Sequence, residues 1–211
     1  NLGDYKYKQF IHFVKMDGDG EIDEQSKREF IIYVKSDSIR KRQLISALDY
    51  EDGGWKDITE KKKSSKVKSE SRSKSFRLSE MVSPENRLFY EFEIVGEKFV
   101  DTLNTIQLKV NPIEEDEDRF KGDLWFNLKD YNLIKAELIP SDMPTFVDEM
   151  SMFFKMQKID SIWFPKKINF QADVSVLFFF SGKIHSEILF SDFEFNQHFE
   201  QKWFDSLENA K

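Results

Sequence analysis

The sequence contains no cysteine, only three histidines, and just eight glycines and five prolines among its 211 residues. The absence of cysteine excludes disulfides and thiolate metal sites, so the redox compartment cannot be read from the sequence. No apolar run approaches the roughly 20 residues that span a bilayer as a helix, which predicts no transmembrane segment. G-x-S-x-G, H-E-x-x-H, P-loop and G-x-G-x-x-G motifs are also missing. We therefore expect no enzymatic activity, no cofactor and no metal.

Charge and aromatic content narrow the possible ligands. The net charge of −7 argues against a nucleic-acid partner, because phosphates would be repelled. The 22 phenylalanines can build a core or line a cavity that holds an apolar ligand. The chain length fits a single domain covering residues 1–211.

Alternation of apolar and polar residues dominates the chain. Between Leu88 and Ile94 the even positions are apolar, whereas Glu91 and Glu93 occupy odd positions. Side chains alternate across a strand, so each such row covers one face of a sheet. The rows predict roughly ten antiparallel strands, spaced as in a barrel or a strongly curved sheet. The apolar residues that we expect to line a cavity are Phe92, Leu124, Phe126, Ile134, Met150, Met152, Phe154, Met156, Phe170, Val174, Val176, Phe178 and Phe180.

Short polar stretches between the rows predict turns. "NLKDYN" at residues 127–132 joins two strands closely, and "FSGKI" at 180–184 is interpreted as a hairpin turn in which Gly182 supplies a positive φ. Helical signals are weak. The best short candidates are residues 205–211 and parts of 141–149.

The stretch "KMDGDGEID", which begins at Lys15, resembles a calcium-binding loop. With Gly20 at position 6 of an EF-hand, Asp17 and Asp19 fall on ligand positions 3 and 5. Position 1 is then Lys15 and position 12 is Ser26, so a cation replaces the first ligand and the bidentate glutamate is missing. The flanking segments have the pattern of strands rather than helices. We therefore predict a hairpin corner and no metal site.

Two runs of like charge interrupt the alternation. Residues 61–75, "KKKSSKVKSESRSKS", are rich in lysine and serine and contain almost nothing apolar. A patch for nucleic acid or anionic lipid is one interpretation; a mobile, solvated loop is the interpretation that we prefer, because nothing there can be buried. Residues 114–118, "EEDED", could gather a hard cation, but five consecutive acids are typical of a solvated loop.

The succession of motifs resembles the outer-membrane lipoprotein carrier (LolA-like) superfamily. The stretch "YKQFIHFVKMDGDGEIDEQSKREFIIYVKSDSIRKRQLI" resembles its first long hairpin, with a D-G corner. "RFKGDLWFNLKDYNLIKAEL" is similar to its F-x-G-x-L-W hairpin, through Phe120, Gly122, Leu124, Trp125, Tyr131 and Glu137. Trp163 and Pro165 match the W-x-P strand entry that follows, and "FFFSGKIHSEILFSDFEF" resembles the closing hairpin. The resemblance covers roughly residues 5 to 198.

This resemblance implies a mainly β fold: an incomplete, half-closed antiparallel β-barrel whose concave apolar face is covered by a few helices as a lid. In the family the cavity takes up acyl chains of lipoproteins, or other lipids, in the bacterial periplasm. Two departures are visible. The helix expected before the first strand is absent or truncated at Asn1, and residues 61–75 partly replace the lid-forming stretch. The arginine that the carrier uses inside its cavity has no assigned counterpart, so the identity of the cargo is not transferred.

The leading functional hypothesis is a non-catalytic periplasmic carrier or binding protein for lipid or acyl chains. We expect export with a signal peptide outside this sequence and leave open a lipoprotein-type membrane anchor. Envelope lipoproteins or membrane proteins are the expected partners, and the oligomeric state stays open. The alternative is an envelope-stress sensing or protein-interaction module on the same fold. A carboxylate-based enzyme that uses Asp173 and Glu187 is a third hypothesis, which no residue spacing supports.

Overall fold

The computed structural model describes residues 3–35, 39–64, 81, 83–176, 180–200 and 204. Long strands account for most of this part of the chain. The strands are β1 (Asp4–Asp17), β2 (Ile22–Lys35), β3 (Ile39–Glu51), β4 (Gly54–Asp57), β5 (Tyr90–Val100), β6 (Leu103–Pro112), β7 (Phe120–Asn127), β8 (Leu133–Pro140), β9 (Val147–Ile159), β10 (Ile162–Val176) and β11 (Phe180–Gln197). The described part of the chain also contains helix α1 (Thr59–Ser64) and a 3-10 turn (Asn86–Phe89).

The strands form one eleven-stranded antiparallel sheet in the order β4-β3-β2-β1-β11-β10-β9-β8-β7-β6-β5. This order has two ends, β4 and β5, so the described strands do not close into a barrel. The predicted fold class, mainly β with an incomplete antiparallel sheet, is confirmed. The strand number is eleven rather than roughly ten. The lid of helices stays a prediction, because most of the stretch assigned to it lies outside the described residues.

The contacts within the chain divide it into two compact units, each of which is described by itself. The first contains Asn1–Phe13, Glu24–Val67 and Ile188–Lys211. The second contains Val14–Asp23 and Lys68–Glu187, and therefore holds all of β5 to β10. That the whole chain is one domain remains a prediction.

The core of the second unit lies on its central strands β6 to β9. Its buried members are Met81, Val110, Phe120, Leu124, Ala136, Leu138 and Met152, and we call this set the core cluster. Gly122 permits the close approach of β7 and β8 within it. Its φ is 148°, and a Cβ at this position would overlap the backbone carbonyl of Glu137. Only glycine meets both conditions without strain.

The first unit buries Val34 on β2, Ala47 on β3 and Ile58 just before α1, which packs on β3. The start of α1 is fixed by two side chains. The Asp57 carboxylate accepts a hydrogen bond from the Thr59 backbone N–H at 2.8 Å, and the Thr59 hydroxyl accepts one from the Ala47 N–H at 2.9 Å. Hydrogen bonds from Thr59 lower the pKa of Asp57. The helix continues to Ser64, so residues 61–64 of the predicted mobile loop are helical instead. Residues 65–75 of that prediction lie outside the described residues.

The aspartate- and glycine-rich corner is a hairpin turn, as predicted. Strand β1 ends at Asp17 and β2 begins at Ile22. The Asp17 carboxylate accepts hydrogen bonds from the backbone N–H groups of Asp19 and Glu21, and Gly20 has a φ of 87°. Asp17 therefore stabilises the turn itself. Among the described residues, no group of three or more His, Asp or Glu side chains is arranged to hold a metal ion.

Two local predictions about turns and helices were wrong, and one was right. The turn at residues 127–132 is confirmed, since β7 ends at Asn127 and β8 begins at Leu133. Gly182, however, lies inside strand β11, because strand-forming neighbours on both sides outweigh a single glycine. Residues 141–149 form bends, turns and the start of β9 rather than a helix. Residues 205–211 lie outside the described part of the chain.

Candidate functional site

The register of the second unit aligns apolar side chains in two continuous rows across six strands. Cross-strand partners in an antiparallel sheet point to the same face. The first row is Phe92, Val110, Gly122, Leu138, Met152 and Phe170. The second row is Ile94, Leu108, Leu124, Ala136, Phe154 and Ile168. We call the face that carries these rows the apolar face of the second unit.

Burial changes along each row. In the centre, Leu124 is 1% exposed and Leu138 is 2% exposed, so these side chains are sealed in the core cluster. Toward β9 and β10, Phe154 and Phe170 are only partly buried and pack against the cluster. At the β5 end, Phe92 is 40% exposed and Ile94 is 68% exposed. The apolar face is therefore closed in the middle and accessible toward both ends.

The residues predicted to line a cavity differ in their burial. Leu124 and Met152 belong to the core cluster, and Phe126, Phe154 and Phe170 pack against it. Phe92 is exposed, Ile134 is buried but outside the cluster, and Met150, Met156 and Val174 are half-buried. The side chains of Val176, Phe178 and Phe180 lie outside the described part of the structure. That these residues contact a ligand remains a prediction.

Sequence reasoning missed several residues of the same face. Val110 and Leu108 lie on β6, where they alternate with Gln107 and Lys109, so the pattern that identified the other strands was present there too. Met81, by contrast, is buried in the core cluster from a position with no strand pattern. Its place follows from tertiary packing alone.

The opposite face of the same strands is polar. One of its rows is Glu93, Lys109, Asp123, Glu137, Phe153 and Asn169. Lys135 pairs with Glu137 at 2.7 Å, and its ammonium group lies 4.2 Å from the Trp125 ring centroid. Lys155 pairs with Asp101 at 2.8 Å and thereby lowers the pKa of Asp101. Charges are therefore paired across this face, whereas the other face is apolar.

The carboxylates considered for catalysis are both engaged in ion pairs. Asp173 accepts a hydrogen bond from Lys183 at 2.8 Å, and Glu187 pairs with Lys167. Each carboxylate thus has a lysine partner of its own on a neighbouring strand, as in structural salt bridges. The arrangement gives no specific support to an acid–base pair.

The first unit has an aromatic cluster of its own. Tyr7 stacks on Phe193 with ring centroids 5.1 Å apart, and Tyr5 contacts Tyr7 and Phe195 at 6.3 and 6.1 Å. Burial raises the pKa of the Tyr7 hydroxyl, although the charges of nearby Arg40 and Arg42 act in the opposite direction. The cluster stabilises this unit through ring contacts.

In the part of the chain that the structure describes, no helix is both long and apolar enough to cross a membrane.

Comparison with known proteins gives structural neighbours only. No family model and no curated protein sequence matches the chain. A DUF1329 family protein from Desulfovibrio piger is 15% identical, with 97% of this chain and 90% of that chain covered and a TM-score of 0.42. A domain described as an outer membrane lipoprotein-sorting protein, from Vibrio parahaemolyticus, is 13% identical, with coverages of 99% and 92% and a TM-score of 0.43.

A LolA superfamily protein from Nitrosomonas europaea is 13% identical, with coverages of 94% and 89% and a TM-score of 0.35. At these identities and TM-scores the likeness carries no argument about function. The superfamily that the sequence motifs resemble is nevertheless represented among the solved structures to which this chain is similar.

Proposed function

We propose that this protein is a non-enzymatic carrier or binding protein for lipid or acyl chains, and that the ligand lies against the apolar face of the second unit. The observation that supports this proposal is the pair of apolar rows, which are sealed at the centre and accessible toward the ends. A sheet face of this composition is stable when something apolar covers it.

The energetic argument concerns hydrocarbon burial. Each methylene removed from water contributes about 0.8 kcal/mol, so one acyl chain contributes on the order of 10 kcal/mol before ordering costs are subtracted. Half-buried Met150 and Met156 flank the rows on β9, and unbranched thioethers adapt to ligands of irregular shape. Their neighbours Phe154 and Phe170 offer ring faces to the same hydrocarbon.

A substitution at a half-buried position tests the proposal without opening the core. Met152 is unsuitable, because it is 9% exposed within the core cluster and a charge there would unfold the protein. Met150 is half-buried and outside the cluster, and its neighbour Ser151 points to the other face. We expect Met150→Asp to weaken binding of a fluorescent fatty acid at least about tenfold, whereas Ser151→Asp leaves it unchanged.

The measurement is a fluorescence titration, with far-UV circular dichroism and thermal melting as fold controls. Native mass spectrometry of gently purified protein supplies a second readout, since a carrier retains lipid. Absence of fatty-acid binding by the parent, together with a lipid-free mass, contradicts the proposal. Unchanged binding by a folded Met150→Asp variant places the ligand elsewhere.

Periplasmic location and exchange of cargo with envelope lipoproteins or membrane proteins are part of the same proposal. Fractionation of cells that express the complete gene product tests the location. Recovery of the protein only in the cytoplasm contradicts it.

A further inference from the structure

Strand β5 and the 3-10 turn that precedes it carry a concentration of exposed apolar side chains. Leu88 is 72% exposed, Ile94 68% and Phe99 75%, and Phe89 and Phe92 are also exposed. Across from Phe89, Ile113 is exposed as well. A cluster of this kind marks an interaction surface more often than an ordinary solvent face.

The backbone of the same edge offers hydrogen-bonding groups. Among the described strands, β5 has a neighbour on one side only, which is β6. The Ile113 N–H donates to the Phe89 carbonyl at 2.9 Å, so this opposed pair is hydrogen-bonded. In an antiparallel pair of strands, every second residue directs its N–H and C=O groups toward the neighbouring strand. Because Phe89 directs its carbonyl toward β6, the N–H and C=O groups of Phe92 and Ile94 point away from β6. These groups can pair with an added strand.

The register shift between Ile94 and Gly96 limits the length of this edge. Val95 is the extra residue of the bulge, and Gly96 has a φ of 137°. A bulge redirects the strand and interrupts the regular alternation of its backbone groups. The regular part of the free edge therefore runs from Tyr90, where β5 begins after the 3-10 turn, to Ile94, which is enough for a short added strand.

Charge identifies the partner that fits. Between Glu85 and Arg119 the sequence contains ten acidic and four basic residues. Glu91 and Glu93 are exposed on the polar face of β5, while Phe92 and Ile94 lie on the apolar face. A complementary strand carries basic side chains on one face and apolar side chains on the other.

We propose that the edge of β5 between Tyr90 and Ile94 binds an extended segment of a partner protein, with alternating basic and apolar residues, as an additional strand of the sheet. Main-chain hydrogen bonds to Phe92 and Ile94 supply affinity, and the glutamates select basic side chains. A second copy of this chain fits less well, because its own Glu91, Glu93 and Glu97 would face the same acids. An anionic membrane surface is repelled by the same charges.

The probe for this edge is a capped peptide of about eight residues in which lysine and valine alternate. The control peptides replace lysine by glutamate or carry N-methyl groups on alternate backbone nitrogens. We expect the lysine peptide to bind at least about tenfold more tightly than either control, and to lose affinity as salt is raised. Bound peptide protects the amides of Phe92 and Ile94 from hydrogen exchange.

Three variants separate strand addition from general attraction to an acidic protein. Phe92→Pro removes an outward N–H and leaves the ladder to β6 intact, and Ile94→Lys introduces a charge of the wrong sign. Both should reduce peptide affinity at least about tenfold. Ile22→Lys is the matched control, since Ile22 is also an exposed apolar residue of the second unit, in the distant β1–β2 hairpin. It should bind like the parent. Thermal melts verify folding.

The outcomes are distinct. Equal binding by the parent and by folded Phe92→Pro and Ile94→Lys variants overturns the proposal. Dimerisation of the parent that Phe92→Pro abolishes, without peptide binding, assigns the edge to a second copy. If the parent binds phosphatidylcholine vesicles but no peptide, and Ile94→Lys abolishes vesicle binding, the β5 edge contacts a membrane and the proposal is overturned. The fatty-acid titration with Met150→Asp tests ligand binding separately from the peptide titration. Either proposal can therefore fail without affecting the result for the other.

Discussion

Strands β8 and β5 carry the same kind of sequence and have opposite environments. Both alternate apolar and charged residues, and both are antiparallel to their neighbours. On β8, Ala136 and Leu138 are fully buried, whereas on β5 Phe92 and Ile94 are exposed. The difference comes from position, because β8 lies between β7 and β9, whereas β5 ends the described sheet. Alternation specifies which side chains share a face, and the strand's place in the sheet decides whether that face is covered.

The largest expected effect on stability comes from substituting two glycines with similar φ values, one in the buried centre of the sheet and one on β5. Gly122 and Gly96 both have strongly positive φ values. A Cβ at Gly122 overlaps the Glu137 carbonyl, whereas a Cβ at Gly96 meets nothing within 4 Å. We expect Gly122→Ala to destabilise the protein by more than about 3 kcal/mol in urea melts, or to prevent folding. Gly96→Ala should cost about 1 to 2 kcal/mol, from backbone strain alone.

Equal costs at the two glycines would contradict this expectation. They would show that backbone angle, rather than the close approach of β7 and β8, explains the glycine at position 122.

Truncation of one aliphatic side chain on each strand gives the next largest effect. Leu138→Ala removes a buried side chain from the core cluster, and we expect a loss of about 3 kcal/mol and a fall in Tm of roughly 10 °C. Ile94→Ala should change stability by about 0.5 kcal/mol or less, because the side chain is exposed. Chemical denaturation of both variants measures the difference. A large loss at Ile94 would mean that the β5 edge is covered in solution.

The sequence predicted the antiparallel rows well, because the side chains of a strand alternate between the two faces with a period of two residues wherever the strand lies in a sheet. It therefore assigned Leu124, Met152 and Phe92 correctly to apolar rows. It could not predict that Leu124 is sealed while Phe92 is exposed, because burial depends on which strands and loops arrive from distant parts of the chain. Met81 is the clearest case, since its burial follows from tertiary packing that has no local signal.

Turns were predicted where side chains themselves make the turn. Asp17 accepts backbone hydrogen bonds at the β1–β2 corner, and Asn127 accepts one from Lys129 at the β7–β8 turn. Gly182 failed as a turn signal because glycine permits a turn without requiring one. The resemblance contributed Trp163, whose indole N–H donates to Asp130 at 3.0 Å and so connects the β7–β8 turn to the start of β10.

The β1–β2 corner provides a smaller test at the periphery of the second unit. The Asp17 carboxylate accepts two backbone N–H bonds, whereas Asp19 contributes its backbone N–H to one of them. We expect Asp17→Ala to destabilise by about 1 kcal/mol, seen as a fall in Tm of roughly 3 °C, and Asp19→Ala to have almost no effect. Neither difference should depend on calcium. A calcium-dependent rise in Tm of the parent that both substitutions remove would establish a metal site instead.

The smallest effect concerns the carboxylate of Asp130. Trp163 Nε1 and Lys158 Nζ each donate to its Oδ2 at 3.0 Å, and the Asn132 N–H donates to Oδ1 at 3.3 Å. These donors favour the ionised form, and the bond from Trp163 contributes most to lowering the pKa of Asp130 well below its usual range. A carboxyl group whose pKa is lowered by folding stabilises the folded state above its unfolded pKa of about 4. That contribution is lost as the pH falls through the lowered folded-state pKa.

We therefore expect Asp130→Asn to lower Tm by roughly 2 °C at neutral pH, because the group is partly exposed and solvent weakens the interaction. The gap between the variant and the parent should narrow as the pH is lowered below about 4, where Asp130 of the unfolded parent becomes protonated, and should close only when Asp130 of the folded parent is protonated as well. Thermal melts across the acid range measure it. Asp160→Asn, in the neighbouring β9–β10 turn, serves as the control. A gap that stays constant down to the lowest pH would show that the side chain acts by shape and neutral hydrogen bonding, and that its charge contributes nothing.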